Sequence, residues 1–175
     1  MATREGVLAT DVEPVNVAQV AREAWEYVDT DSATFEGPKE LRLDADADRL
    51  LWLFENLFRN SVEHGSTGPD SQARQDSVEH GSTSSRPAAD DAAAHGRPRG
   101  VTGRLEATAD GFAVSDDGPG IDPGLRDRIF DPGVSDAAGG TGFGLYIVHT
   151  IATAHGWDVT VTDAASGGAR FEVSV

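Results

Sequence analysis

Apolar residues recur at helical spacing in three segments of the chain, and each segment predicts one helix. The first stripe is made of Val17, Val20, Ala21, Ala24, Trp25 and Val28. The second is made of Leu50, Leu51, Leu53, Phe54, Leu57, Phe58 and Val62, and the third of Leu145, Ile147, Val148, Ile151 and Ala152. With Asn16 as a candidate N-cap and Gly156 as a candidate C-cap, the pattern predicts helices over 17–28, 46–64 and 144–155.

Short apolar or alternating runs predict six strands around these helices. Their ranges are 33–36, 41–43, 101–108, 111–115, 157–163 and 169–175. The turn residues Gly37 and Pro38 predict that the first two strands form a hairpin. Asp122 and Pro123 predict a further short helix that ends near Phe130.

Two segments lie outside this periodic pattern. We expect residues 1–13 to be a lead-in and residues 66–99, rich in Gly, Ser, Pro, Asp and Ala, to be a low-complexity loop inserted into one domain over 14–175. The heptapeptide at 61–67 returns at 77–83, but two copies are too few for a solenoid. Its Glu-His pair is compatible with a metal site, although a solvated insertion is the favoured interpretation.

Composition adds an extreme negative charge to this picture. The formal net charge is −16 over 175 residues, and Lys39 is the only lysine among the 14 basic residues. Two interpretations compete, a generic acidic interaction surface and adaptation to a salt-rich cytoplasm, where a Debye length of about 3 Å near 1 M salt screens the repulsion. The scarcity of lysine and the abundance of Ala, Asp and Gly favour a halophilic source. The charge disfavours nucleic-acid binding through a basic patch.

The chain has no cysteine, which excludes a disulfide framework and a thiolate metal site. No apolar run approaches the length that spans a membrane, and the N-terminus lacks the pattern of a signal peptide. We therefore expect a cytoplasmic domain that makes no direct membrane contact.

The first candidate for chemistry is the acidic and glycine-rich loop at 116–120. The apolar strand ends in Asp116 and Asp117, and Gly118 and Gly120 then permit backbone angles that other residues avoid. An ionised carboxylate only accepts hydrogen bonds, so it would suit an exocyclic amine such as N6 of adenine and would repel O6 of guanine. Taken alone, the loop is more typical of a tight β-turn with a solvated acidic pair.

The second candidate is a pair of asparagines on the central helix. Asn56 and Asn60 are four residues apart and therefore lie on one face. Either both amides bond to a neighbouring loop, or they offer neutral oxygen ligands to a hard cation such as Mg²⁺.

The third candidate is the glycine run that precedes the last helix, at residues 139–144. Glycines that lead into a helix N-terminus create an anion site, because free N–H groups point outward and the helix dipole favours negative charge. The run does not follow a strand as in the Rossmann pattern, and it carries no Walker lysine.

Together and in this order, the three signals resemble the ATP-binding catalytic domain of sensor histidine kinases, in the superfamily shared with gyrase, Hsp90 and MutL. Residues 55–60 are similar to the N box, 116–120 to the first glycine box and 128–133 to the F box. Residues 140–145 are similar to the second glycine box, and 167–171 to the final glycine turn and strand. The resemblance spans roughly residues 14–175. It implies a Bergerat-type α/β fold, an α+β two-layer sandwich of one mixed sheet with the three helices on one face.

The resemblance also implies a site. Asn56 and Asn60 would be the catalytic residues, Asn60 the Mg²⁺ ligand, and Asp116 the partner of the adenine amine. The full set of residues expected to bind ATP is Asn56, Asn60, Asp116, Gly118, Gly120, Ile121, Phe130, Gly140, Thr141, Gly142, Phe143, Gly144 and Leu145. Residues 122–141 would form a lid that Phe130 anchors, with Arg126 and Arg128 as candidates either for phosphate contact or for surface ion pairs. The partners would be a dimerisation and phosphoacceptor domain and a downstream response regulator.

The chain departs from the family pattern at three points. Glu63 stands where many histidine kinases have a basic residue, and Asp117 replaces the more usual asparagine. The five histidines each precede Gly or Thr, so none has the acidic neighbour of a phosphoacceptor histidine: His64, His80, His95, His149 and His155. We therefore expect a catalytic domain without its acceptor domain.

Two other functions stay open at this point. Hydrolysing relatives and anti-sigma serine kinases usually carry a glutamate base four residues before the metal asparagine, where this chain has Asn56. Glu55 is adjacent, but one residue is about 100° around a helix, so it points elsewhere. A non-catalytic nucleotide-binding module is the third possibility.

Overall fold

The computed structural model describes residues 11–28, 33–66, 100–134 and 143–175, with the side chains of 63–66 left out. The helices are α1 (Val17–Tyr27), α2 (Ala47–Ser66) and α3 (Gly144–Ala154). The strands are β1 (Val12–Asn16), β2 (Thr34–Glu36), β3 (Arg42–Asp46), β4 (Thr102–Ala107), β5 (Gly111–Asp116), β6 (Asp158–Asp163) and β7 (Ala169–Ser174).

The main sheet has five strands in the order β2-β4-β5-β7-β6. β2 runs parallel to β4 and the other neighbours are antiparallel, so the sheet is mixed, as expected. All six residues of the central strand β5 are buried. The row Leu105, Val114 and Phe171 belongs to the same apolar core as the three helices. The predicted α/β architecture is therefore confirmed.

An aromatic cluster joins the helices to the sheet. The Phe58 ring of α2 lies 5.0 Å from that of Trp25 on α1, and the Phe54 ring lies 5.6 Å from that of Phe112 on β5. Gly103 of β4 leaves room for Trp25, because a Cβ at position 103 would come within 2.7 Å of the indole. α2 thus packs against both α1 and the central strand. Among the described residues no helix is long and apolar enough to cross a membrane.

The hairpin predicted at Gly37 and Pro38 is wrong. β2 pairs with β4 in the main sheet, whereas β3 pairs with β1 in a separate two-stranded sheet. β1 begins at Val12, inside the stretch expected to be a lead-in. The Arg22 guanidinium of α1 donates to the carbonyl oxygens of Gly37, at 3.4 Å, and Pro38, which fixes this connection as a loop between two sheets.

The predicted cap of α1 lies at the right position but acts differently. Asn16 occupies the N-cap position without a side-chain capping bond, and its Oδ1 instead accepts a hydrogen bond from the Leu41 N–H at 3.1 Å. α2 begins at Ala47, one residue after the predicted start, because β3 continues to Asp46. The Asp46 Oδ1 accepts a bond from the Arg49 N–H at 3.3 Å, as an N-cap carboxylate does.

The short helix predicted after Asp122 is also wrong. The segment consists of successive turns in which Leu125, Arg128 and Asp131 each donate an N–H to the carbonyl three residues earlier, at 2.9 Å. The Asp122 carboxylate accepts the Gly124 N–H at 2.8 Å. Bonds of this kind also occur at helix N-caps, so the bond does not account for the missing helix; Gly124, with the low helix propensity of glycine, lies in the first turn.

Candidate functional site

Asp116, the last residue of β5, holds a buried carboxylate with three hydrogen-bond donors around it. Its Oδ1 accepts the N–H of Gly118 at 3.0 Å and the N–H of Ala169 at 3.2 Å. Its Oδ2 accepts the hydroxyl of Ser61 on α2 at 2.8 Å. The donors come from the loop after β5, from β7 and from α2, so three separate parts of the fold fix the position of this carboxylate.

Burial sets the electrostatics of this group. Desolvation raises the pKa of the Asp116 carboxyl above its ordinary value, and the bonds from Ser61, Gly118 and Ala169 pull the pKa back down. The neighbouring negative charge of Asp117 raises the pKa further. Burial of this carboxyl group disfavours its charged form, and such a perturbed acid is typical of a functional site.

Two glycine turns approach this carboxylate closely. A Cβ on Gly168 would lie 2.1 Å from the Asp116 carbonyl oxygen and 2.3 Å from its Oδ1, so position 168 has no room for a side chain. Gly120 has a φ of 79°, and a Cβ there would lie 3.3 Å from the Gly167 carbonyl oxygen. The predicted turns at 118–120 and 166–168 therefore meet at Asp116, and the Ser166 hydroxyl joins them by donating to the Asp116 carbonyl oxygen at 3.0 Å.

The two adjacent acids have different roles. Asp117 is exposed, and its Oδ1 accepts the N–H of Thr102 at the start of β4 at 2.7 Å. Only Asp116 points its carboxylate to α2 and the core. The alternative of a tight turn with a solvated acidic pair therefore describes Asp117 but not Asp116.

The paired asparagines lie on one face of α2 but differ in their surroundings. Asn56 is buried, and its Nδ2 donates to the Trp52 carbonyl oxygen at 2.8 Å within the same helix. Its Oδ1 faces the start of α3, 3.5 Å from where a Cβ of Gly144 would lie. Asn60 is partly exposed, and its amide bonds to no other described residue. One amide oxygen thus faces α3, and the other is available to a ligand.

The N-terminus of α3 lies beside Asn56. Phe143 occupies the N-cap position without a side-chain capping bond, and the first intrahelical bond runs from the Ile147 N–H to the Phe143 carbonyl oxygen at 2.9 Å. The N–H groups of residues 144–146 therefore have no partner within the helix. Leu145 is buried and Phe143 is half exposed. The other three expected residues of this box, Gly140, Thr141 and Gly142, lie outside the described residues.

Phe130, in the expected F box, packs its ring against β7 and α3. Its ring lies 6.4 Å from that of Phe171 on β7 and 5.7 Å from that of His149 on α3. Ile121, at the start of the segment, is buried. Arg126 is committed to an ion pair with Asp163 at the end of β6, which favours the surface ion pair over phosphate contact. Arg128 is exposed.

Two contacts to Asp116 come from residues that the sequence did not indicate. Ser61 and Ser166 reach Asp116 from positions 55 and 50 residues away along the chain. The available signal for Ser61 was weak, a hydroxyl in the middle of an apolar helical run. No group of three or more His, Cys, Asp or Glu side chains in the described part of the chain is placed to hold a metal ion.

Comparison with known proteins places this geometry in a family. A model of the family described as histidine kinase-, DNA gyrase B-, and HSP90-like ATPase matches residues 45–175. The sensor protein RstB of Escherichia coli strain K12 is 48% identical over 67 residues, which cover 35% of this chain and 16% of RstB. The sensory histidine kinase/phosphatase NtrB of Rhodobacter capsulatus is 33% identical over 130 residues, which cover 74% of this chain and 32% of NtrB.

The chain spans about a third of NtrB and less of RstB. Among solved structures, the mycobacterial sensor histidine kinase MprB matches with a TM-score of 0.64 at 22% sequence identity, covering 93% of this chain and 95% of that chain. At this identity the likeness establishes a shared fold.

Proposed function

Because the chain belongs to the histidine kinase-, DNA gyrase B-, and HSP90-like ATPase family, we propose that it is the catalytic domain of a two-component sensor histidine kinase. Family membership implies ATP binding, and the homologous sensor kinases are phosphotransferases. In this role the domain transfers the γ-phosphoryl group of ATP to a histidine on a separate dimerisation and phosphoacceptor domain. A response regulator then receives the phosphoryl group.

The observation that carries the proposal is the buried carboxylate of Asp116. An ionised carboxylate has about four lone-pair sites, and Oδ1 already accepts two hydrogen bonds. Among the described residues, Ser61 alone donates to Oδ2, which leaves one of its two lone-pair sites for a ligand. That site accepts the exocyclic amine of adenine and repels the carbonyl of guanine, while Gly118, Gly120 and Ile121 shape the surrounding pocket.

The phosphates bind between α2 and α3. The free N–H groups at the start of α3, from Gly144 onward, and the positive end of its dipole attract them, together with the glycine run at 140–142. The buried side chain of Leu145 holds this helix start to the core, and the half-exposed Phe143 lies at the surface beside it. The expected lid is represented among the described residues by 122–134, which Phe130 holds to β7 and α3, and residues 135–141 of that lid lie outside the described residues.

The residues present also fit a magnesium ion that is bound with the nucleotide. Mg²⁺ takes one or two protein oxygens and completes its shell with phosphate oxygens and water. The partly exposed amide of Asn60, one turn beyond Asn56, supplies such an oxygen. When bound, the ion neutralises charge on the phosphates, and the role of Asn60 is to orient them.

The same helix argues for transfer to another domain over rapid hydrolysis. Hydrolysing relatives use a carboxylate base at the position of Asn56, and an amide cannot accept a proton from water. The Asn56 Nδ2 is moreover engaged with the Trp52 carbonyl oxygen. Without that base, catalysis rests on positioning the γ-phosphate and stabilising its charge.

We assign the domain to the cytoplasm of a salt-adapted organism. The net charge of −16 and the single lysine support this source. At low salt, two acidic domains repel one another, so phosphotransfer between them should increase with ionic strength.

Phosphotransfer in trans tests the proposal. The chain is incubated with γ-³²P-ATP, Mg²⁺ and the phosphoacceptor domain of the same kinase, and the label on the acceptor should be acid-labile and base-stable. The chain alone should neither label itself nor turn over ATP rapidly. Brisk multiple-turnover hydrolysis that ignores the acceptor would instead favour the hydrolytic relatives.

A further inference from the structure

Ser61 is the one side-chain donor to the Asp116 carboxylate among the described residues. We propose that Ser61 is a positioning residue for nucleotide recognition, which holds Asp116 in the ionised form that accepts the adenine amine. The inference rests on the proposed function, because it takes adenine as the ligand of Asp116.

The geometry gives the Ser61 hydroxyl a choice of two acceptors. Its Oγ lies 2.8 Å from Asp116 Oδ2 and 3.1 Å from the carbonyl oxygen of Leu57, and the side chains of Ser61 and Asp116 are both buried. A hydroxyl has one proton and can donate to only one acceptor at a time. The charged carboxylate is the stronger acceptor, so the proton goes to Asp116 when that group is ionised.

Protonation of Asp116 reverses the direction of this bond. The carboxylic acid then donates from Oδ2 to the Ser61 Oγ, and Ser61 donates to the Leu57 carbonyl oxygen. In that arrangement Oδ2 carries a proton and is a poor acceptor for an amine. The Ser61–Leu57 pair therefore accommodates both forms, but only the ionised form is ready for adenine.

In the part of the chain that the structure describes, no cationic side chain pairs with Asp116. β7 and the loop after β5 offer the backbone N–H groups of Ala169 and Gly118. Asp117 adds a like charge that raises the pKa of Asp116. Asp116 and Asp117 also line an open cavity of about 120 Å³ together with Glu36, Thr102, Arg104, Ser115 and Ser166, where Arg104 pairs with Glu36 at 2.8 Å. Burial and Asp117 both favour the neutral acid. The hydrogen bond from Ser61 opposes them more strongly than the bonds from Gly118 and Ala169.

The test is the pH dependence of Mg-ATP affinity, measured by isothermal titration calorimetry between pH 5 and pH 8 at constant high salt. The compared proteins are the parent, Ser61→Ala and Ser61→Thr. Titration of the ATP phosphates affects every protein equally and cancels in the ratio of dissociation constants. Removing a hydrogen bond to a charged group shifts its ionisation by roughly one pH unit or more. The ratio of dissociation constants, Ser61→Ala to parent, should therefore rise as the pH falls and reach about tenfold or more once the pH is below the pKa of Asp116 in both proteins, whereas Ser61→Thr, which keeps the hydroxyl, should follow the parent.

A ratio for Ser61→Ala that is the same at every pH would assign Ser61 a packing role and overturn the proposal. If Ser61→Ala does not fold, Ser61→Cys, which retains a weaker donor, takes its place. Its ratio of dissociation constants should rise by a smaller factor as the pH falls, and a ratio that is constant with pH would again overturn the proposal. The ¹³C resonance of the Asp116 carboxyl group gives a reading without nucleotide, and its midpoint should move to higher pH in the variant. If Asp116→Asn binds Mg-ATP like the parent while this midpoint still moves, the adenine assignment fails and the role of Ser61 in ionisation stands.

Discussion

Gly144, the first residue of α3, lies against Asn56 in the middle of α2, where a Cβ on Gly144 would stand 3.5 Å from the Asn56 Oδ1. At the other end of the same helix pair, the Asp46 N–H donates to the Nε2 of His155 at 3.0 Å. These two contacts fix α2 and α3 as antiparallel neighbours. They bring the asparagine face of one helix to the free N–H groups of the other, which is the arrangement that the proposed phosphate site requires.

Gly168→Ala should destabilise the fold and damage the site, whereas Gly144→Ala should leave the stability of the fold unchanged. A Cβ at position 168 would lie 2.1 Å from a backbone oxygen of Asp116, so the backbone must move, at a cost of about 1–3 kcal/mol. At position 144 the new methyl group makes an ordinary contact, and alanine favours the helix. Thermal unfolding of both variants, with Mg-ATP titration of Gly168→Ala, provides the measurement. Equal stability of the two variants would contradict the observed approach of Gly168 to Asp116.

Asn60→Ala should remove most of the effect of Mg²⁺ on nucleotide affinity. The parent should bind ATP roughly tenfold or more tightly with Mg²⁺ than with EDTA, and the variant should bind about equally under both conditions. Asn16→Ala is the matched control, because it also removes an amide but lies on β1 and not on α2. The Asn16 Oδ1 accepts the Leu41 N–H. A full Mg²⁺ effect in Asn60→Ala would exclude Asn60 as the ligand.

The sequence predicted those site residues whose relative positions depend only on a short stretch of the chain. Asp116 was identifiable because the acid and its two glycines are contiguous, and Asn56 and Asn60 because a helix places them one turn apart. The contribution of Ser61 was not identifiable, since it depends on α2 packing against the end of β5. The hairpin at Gly37 and Pro38 failed for the same reason, because the pairing of β2 with β4 goes with tertiary contacts such as the packing of the Phe35 ring of β2 against Trp25 and Phe58.

Replacing the expected loop 66–99, apart from Ser66 at the end of α2, with a short Gly-Ser linker should leave Mg-ATP affinity within a few-fold of the parent. The segment has few large apolar residues, so little burial is available to offset the entropy of ordering it. Calorimetric titration of the shortened chain measures this directly. A hundred-fold loss would mean that the second copy of the repeat belongs to the site.

Asp116→Asn should fold at least as stably as the parent near neutral pH. Because burial raises the pKa of this acid in the folded state, its contribution to stability is greatest below the ordinary pKa of an aspartate and is lost as the pH rises through the folded pKa. An asparagine can keep the bonds from Gly118 and Ala169 on its oxygen and donate its amide to Ser61. Urea unfolding at several pH values should show a smaller decline with rising pH in the variant. A strongly destabilised variant at neutral pH would contradict this.

The relative affinity for ATP and GTP tests the assignment of Asp116 most directly. Calorimetric titration of the parent with Mg-ATP and Mg-GTP should give tight binding of ATP and weak binding of GTP, because Oδ2 accepts an amine and repels a carbonyl. Asp116→Asn should lose roughly 1.5–3 kcal/mol of ATP binding free energy, about ten- to more than a hundred-fold in affinity. Asp117→Asn, whose bond goes to Thr102, should bind ATP like the parent. Equal affinity of the parent for ATP and GTP, or unchanged ATP binding by Asp116→Asn, would contradict the account.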